Sequence, residues 1–219
     1  MANAPRTWTD ADQALLYTCH LAADLFAGRP MRPAPVAVTF PPRLSATERY
    51  LATSNFTLST FDPAGDGSYT HNSSFFFATG KAGLAATAGF AAATAVGNSR
   101  RRKEAQRNLV PRWIPAYQGM LTVSDCGIYV STPQDFFTWS WDSLESAEVA
   151  GFSNVILNAP TSDGRIRPWL LQSHYAELVF LLWAIHRYPQ HPQLAHQGWL
   201  PPNWSRWASD QGRQPALES

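Results

Sequence analysis

The sequence predicts an α+β fold, built on a mostly antiparallel sheet with helices before, within and after it. Three observations predict it. Residues 118–149 carry strand patterning interrupted by three tight turn signals. Residues 10–26 and 175–188 carry apolar stripes at helical spacing. Between them, residues 80–97 are dominated by Ala and Gly, a composition that favours helix without supplying a large apolar face.

Taken in order, Thr9 starts the first helix as a cap, with Asp10 and Asp12 at the positive end of its dipole. Leu15, Leu16, Cys19, Ala22, Ala23 and Phe26 form its apolar stripe. Gly28 ends it, and Pro30 and Pro33 prevent continuation. Residues 1–33 therefore read as a helix followed by a polyproline-like linker. Val36–Phe40 and Glu48–Phe61 read as strands. Asp62 to Gly67 is a loop whose acidic spacing faintly resembles a calcium loop but lacks its remaining oxygen ligands. Ser68–Ala78 closes a hairpin.

The Ala/Gly helix comes next, placed at about 79–109. Gly83 and Gly89 would let a neighbouring helix approach closely. It runs into Arg100, Arg101, Arg102, Lys103 and Arg107, the one marked charge asymmetry in a chain of net charge +1. Such a run is a solvated helix end, a contact for anionic lipid, or a contact for nucleic acid. The near-neutral total disfavours nucleic acid as partner. The uncharged stretch is shorter than the ~20 residues a membrane span needs.

In the central strands, Leu121 and Val123 alternate with Met120, Thr122 and Ser124. Ser124-Asp125-Cys126-Gly127 is the first turn, with Asp125 bonding the backbone ahead and Gly127 at positive φ. Ile128–Val130 returns, and Pro133-Gln134-Asp135 turns again. Phe136–Trp141 is a third strand with Phe137, Trp139 and Trp141 on one face. Leu144–Val149 is a fourth, giving a continuous meander. Val155–Leu157 and Arg167–Leu171 are further strands. Tyr175–Tyr188 is the last long helix, and its wide apolar face suits the covering of an open sheet end.

Gly119-Met120-Leu121-Thr122-Val123-Ser124-Asp125-Cys126-Gly127-Ile128-Tyr129-Val130, followed by Trp139-Ser140-Trp141-Asp142-Ser143-Leu144, resembles the core of pleckstrin-homology-like and GRAM-like barrels of the kind met in actinobacterial proteins. The resemblance spans roughly residues 112–188. It implies an antiparallel β-barrel over 34–188, with the Ala/Gly helix as an insertion and one C-terminal capping helix. It also implies a module that binds lipid or peptide. The Ser124–Gly127 turn carries no Lys or Arg, a departure from the family's phosphoinositide-binding loop.

The tail, 189–219, is rich in Pro and Trp. Trp199, Trp204 and Trp207 either anchor it back on the domain or meet a partner or interface; the partner role is the expectation carried forward. His186, His191 and His196 recur every fifth residue, a spacing that places no metal site on one helix. Cys19 and Cys126 match no metal pattern, and reduced thiols fit a cytoplasmic chain. No metal or cofactor is expected.

No catalytic signature is present: no Gly-x-Ser-x-Gly elbow, no phosphate loop around Gly80-Lys81, no dinucleotide fingerprint. Asp135, Asp142, Glu145 and Glu148 read as solvated carboxylates, and His174 with Glu177 as a surface pair. The expected function is therefore a non-enzymatic binding or scaffold module. It would act through protein–protein contact or self-association, or peripherally on an anionic membrane through Arg100–Lys103 and Arg107. Two alternatives stand beside it. One is a hydrolase or transferase with a site gathered from His174, Asp142 and Glu177. The other is a self-assembling protein joined through Gly83 and Gly89.

Overall fold

The computed structural model describes residues 6–31, 44–63, 110–161 and 163–217. The expected strand Val36–Phe40, the hairpin Ser68–Ala78 and the inserted helix lie outside the described residues. So do Gly83, Gly89, Arg100, Arg101, Arg102, Lys103 and Arg107. The chain forms two compact units, one of Met1–Thr60 with Pro115–Ser219 and one of Phe61–Ile114. In the second, Phe61 packs on Trp113 with ring centroids 5.2 Å apart.

The fold is α+β. Seven strands form one antiparallel sheet: Tyr50–Pro63 (β1), Pro111–Ser124 (β2), Gly127–Ser131 (β3), Phe136–Ser140 (β4), Ser146–Gly151 (β5), Asn154–Pro160 (β6) and Ile166–Ser173 (β7). Their order is β4-β3-β2-β1-β7-β6-β5. The helices among the described residues are Asp10–Phe26 (α1), Ala176–Arg187 (α2), Pro192–Ala195 (α3) and Trp204–Asp210 (α4).

The expected meander holds from β2 to β4 and then fails. β4 and β5 follow each other in sequence yet form the two outer strands of the sheet. A 3-10 turn, Trp141–Ser143, interrupts the pattern. Trp141 is thus not the third inward residue of a strand. It starts the turn, is buried, and donates its indole N–H to the Asp125 carbonyl at 3.0 Å.

This connection dictates the shape of the sheet. The step from Ser140 to Ser146 covers about 20 Å at most when extended. In a flat sheet the outer two of seven strands stand about 29 Å apart. The sheet therefore curls over on itself. Trp139 of β4 donates Nε1–H to the Pro160 carbonyl of β6 at 3.2 Å, across strands that flatness would separate by about 24 Å.

Curling turns one face inward. Leu121, Val123, Ile128, Val130, Val155, Leu157 and Leu171 are buried there, and β6 alternates strictly between buried and half-buried positions. The helix α2 follows β7 directly and buries Leu178 to Ala184 against the sheet. Its Trp183 donates to the Leu144 carbonyl at 3.2 Å. Tyr17 on α1 meets Tyr175 edge to face and donates to the Leu51 carbonyl at 3.1 Å.

The β2–β3 turn differs from its expected chemistry. Gly127 does not adopt positive φ. Glycine is required by close approach: a Cβ there would lie 2.2 Å from the Trp139 carbonyl oxygen. The Ser124 hydroxyl, not Asp125, accepts the amides of Cys126 and Gly127, each at 3.1 Å. The Asp125 carboxylate instead takes the Arg49 amide at 3.0 Å and its Nε at 2.9 Å.

Both ends of the first unit meet at Asp12. Thr9 caps α1 with the reciprocal Asp12 contact of a capping box. The fully buried Asp12 carboxylate also accepts from Arg6 and from Trp204 Nε1, the latter at 2.8 Å. Arg6 lies over the Trp207 ring at 4.1 Å, and Trp8 stacks on Trp207 with centroids 5.2 Å apart. Asp12→Ala leaves the Trp204 and Thr9 donors without an acceptor. The expected loss is about 2–4 kcal/mol, read as a fall in Tm with Asp12→Asn intermediate. An unchanged Tm would show that the clasp contributes nothing.

Candidate binding cleft

The fold of the sheet leaves a cleft of about 660 Å³ between β4 and the β6–β7 turn, lined by residues that include Tyr117, Phe136, Phe137, Trp139 and Trp169. Strand alternation sets the pair on β4: Phe137 and Trp139 lie two residues apart and their ring centroids stand 5.2 Å apart. Tyr117 comes from β2 and Trp169 from β7. The four rings close a circuit, with Tyr117–Phe137 at 5.6 Å, Trp139–Trp169 at 5.9 Å and Tyr117–Trp169 at 6.1 Å. Trp139 and Trp169 are almost fully buried, whereas Tyr117 and Phe137 are half-buried and Phe136 is exposed.

Asp135, Asp163 and Arg167 also line the cleft. The Thr161 hydroxyl, foremost, and the Arg165 amide hold the Asp163 carboxyl below the usual range. The Trp139 indole N–H is occupied by Pro160. The Trp169 indole N–H is buried and has no acceptor among the described residues. Sequence reading singled out none of these rings as a site. Their convergence depends on β4 meeting β6 and β7, which the meander pattern hides.

The expected contact residues of the tail are placed otherwise. Trp199 and Trp204 are each 1% exposed, enclosed within the chain, so they offer a partner no surface. Trp207 is half-buried and stacked on Trp8. The tail is anchored through these rings, the first of the two readings of their pattern. His191 serves locally too: it caps α3 through Nδ1 and meets the Phe180 and Trp183 rings edge-on.

The scattered enzyme candidates do not converge. Asp142 is exposed and pairs with His186 and Arg187, each at 3.2 Å, beside the last turn of α2. Glu177 sits in the first turn, about 15 Å away along the axis. His174 is exposed and Glu177 is 1% exposed, so the expected surface pair does not form. No cluster of three or more potential metal ligands occurs among the described residues. No helix among them is long and apolar enough to cross a membrane.

Glu177 is structural. Its Oε1 accepts the Ser153 amide at 2.6 Å, steadying a β5–β6 turn in which Ser153 holds φ 60°. Its Oε2 has no partner among the described residues. Burial pushes the carboxyl up to about 7, opposed by the Ser153 amide. Its charge adds to burial in pushing the Cys19 thiol up to about 12.

No family model matches this chain, and neither a curated protein nor a solved structure does.

Because the folded pKa of Glu177 is raised, its contribution is fully present below the unfolded value. It is lost as pH rises through about 7. The loss should reach up to roughly 3 kcal/mol. Thermal unfolding from about pH 5 to about pH 8 should show wild type losing stability against Glu177→Gln. Parallel curves would refute the assignment.

Proposed function

We propose that this chain is a non-enzymatic binding module of the pleckstrin-homology-like, GRAM-like type, which holds a segment of a partner protein in the aromatic cleft. Two features support the barrel reading: strand order β4-β3-β2-β1-β7-β6-β5 in a curled sheet, and a helix directly after the last strand that covers it. The observation that carries the binding reading is the cleft itself. Exposed and half-buried rings beside carboxylates make a surface that is costly to leave wet and open enough to admit a peptide. The cleft's charged residues, Asp135, Asp163 and Arg167, have no imidazole or thiol beside them among its described lining. Aromatic rings make up much of that lining, which favours recognition as its role.

Peptide display against the immobilised full chain tests this reading. Selected peptides should lose at least about tenfold in affinity with Phe136→Ala or Phe137→Ala. They should be unaffected by Asp142→Ala, which lies outside the cleft. Peptides indifferent to the cleft variants, or no selected peptide, would sink it.

A further inference from the structure

We infer that the partner's segment lies in the cleft as an extended strand added to the outer edge of β4, paired backbone to backbone at Thr138, with an apolar side chain at every second position against the rings. This rests on the cleft being the binding site proposed above.

The backbone of β4 is the first ground. An antiparallel strand bonds to one neighbour through alternate residues, and the residues between them turn both backbone groups the other way. The β3–β4 ladder is bounded by the Thr132 amide on the Asp135 carbonyl at 2.8 Å and by the Trp141 amide on the Cys126 carbonyl at 3.1 Å. Counting inward from either end, Phe137 and Trp139 are the residues that bond to β3. Thr138 stands between them, so its N–H and C=O point away from β3. β4 is an outer strand, Thr138 lines the cleft, and its two backbone groups have no partner among the described residues. A donor and an acceptor together on one edge residue are complementary to the backbone of an extended peptide.

The opposite edge of the sheet supplies the contrast. On β5 the Val149 amide donates to Gln193 Oε1, and Gln193 Nε2 donates to the Val149 carbonyl, both at 2.9 Å. A side-chain carboxamide, the group most like a peptide unit, thus occupies that edge from within the chain. Thr138 has no such cover among the described residues, and its edge opens on the cleft.

Side chains set which sequences the edge prefers. A strand beside β4 puts every second side chain on the face that carries Phe137 and Trp139. Half-buried Tyr117 and Phe137 offer apolar contact there. Charge does not select: Asp163 pairs with Arg165 at 3.4 Å, and Asp135 and Arg167 oppose one another in sign.

The test uses a display-selected peptide, remade with one backbone N-methyl group at each position in turn and titrated against the full chain by tryptophan fluorescence. N-methylation at every second position should cost at least about tenfold in affinity while the intervening positions tolerate it, because a strand turns only alternate amides to its neighbour. Thr138→Pro removes the edge N–H without touching the β3–β4 ladder and should weaken binding to a similar degree. Thr138→Ala should bind as wild type. Should Thr138→Pro misfold, amide exchange followed by NMR in the wild-type chain carries the test: peptide should slow exchange at Thr138. A peptide that loses affinity with Phe137→Ala yet shows no alternation under N-methylation, or leaves Thr138 exchange unchanged, overturns the strand mode and leaves the cleft reading standing. Protection of Thr138 that rises with chain concentration in the absence of peptide would assign the edge to a second copy and overturn it too. A peptide indifferent to Phe136→Ala and Phe137→Ala overturns both readings.

Discussion

Five residues of chain join the two outermost strands, and much of the first unit follows from that short connection. A flat seven-stranded sheet would put its edges beyond the reach of the Ser140–Ser146 link. The sheet must curl, and curling creates an interior that both faces of an open sheet would lack. Apolar residues that alternate along β6 and β7 then face residues of β2 and β3 rather than solvent. The 3-10 turn at Trp141–Ser143 makes the link compact, and Trp141 fixes it to the β2–β3 turn through the Asp125 carbonyl.

Curling also leaves openings, and the chain treats them differently. One is covered by α2, whose residues from Leu178 to Ala184 are almost entirely buried. The remaining space near β4 is bordered by aromatic rings with two carboxylates and an arginine. Large rings there follow from the geometry: strands at a fold diverge, and only long side chains span the gap. Packing alone would account for rings. It does not account for a buried Trp169 donor left without an acceptor among the described residues. Such groups are few in native proteins and each calls for a physical reason.

The local structure was legible in the sequence to the extent that it depended on local chemistry. The α1 cap at Thr9, the Gly28 terminus, the β2–β3–β4 hairpins and the last helix follow from capping residues, turn residues and periodicity. What failed was non-local. Leu144–Val149 looks like the next strand of a meander because strand patterning carries no information about which edge a strand joins. Gly127 looks like a positive-φ turn residue, yet its constraint comes from the Trp139 backbone across the hairpin. Glu177 looks like a surface partner of His174, yet its carboxyl supports a strained residue twenty-four positions earlier. The cleft could not be read at all, since Tyr117, Phe137 and Trp169 come from three strands whose meeting depends on the curl.

The tryptophans show how one pattern carries opposite meanings. An aromatic-rich tail and an aromatic-rich strand have the same composition signal. In the tail, Trp204 has its N–H on Asp12, which Arg6 and Thr9 also donate to. That polar satisfaction holds the last helix against the first, closing a loop over nearly the whole chain. In the sheet, Trp139 is satisfied by Pro160, while Trp169 has no acceptor among the described residues. Burial alone does not separate these cases, because all three indoles are nearly enclosed. The acceptor does: a buried carboxylate on α1 for Trp204 and a strand carbonyl for Trp139. A tryptophan bonded to a buried carboxylate is committed to the fold, as Trp204 is to α1.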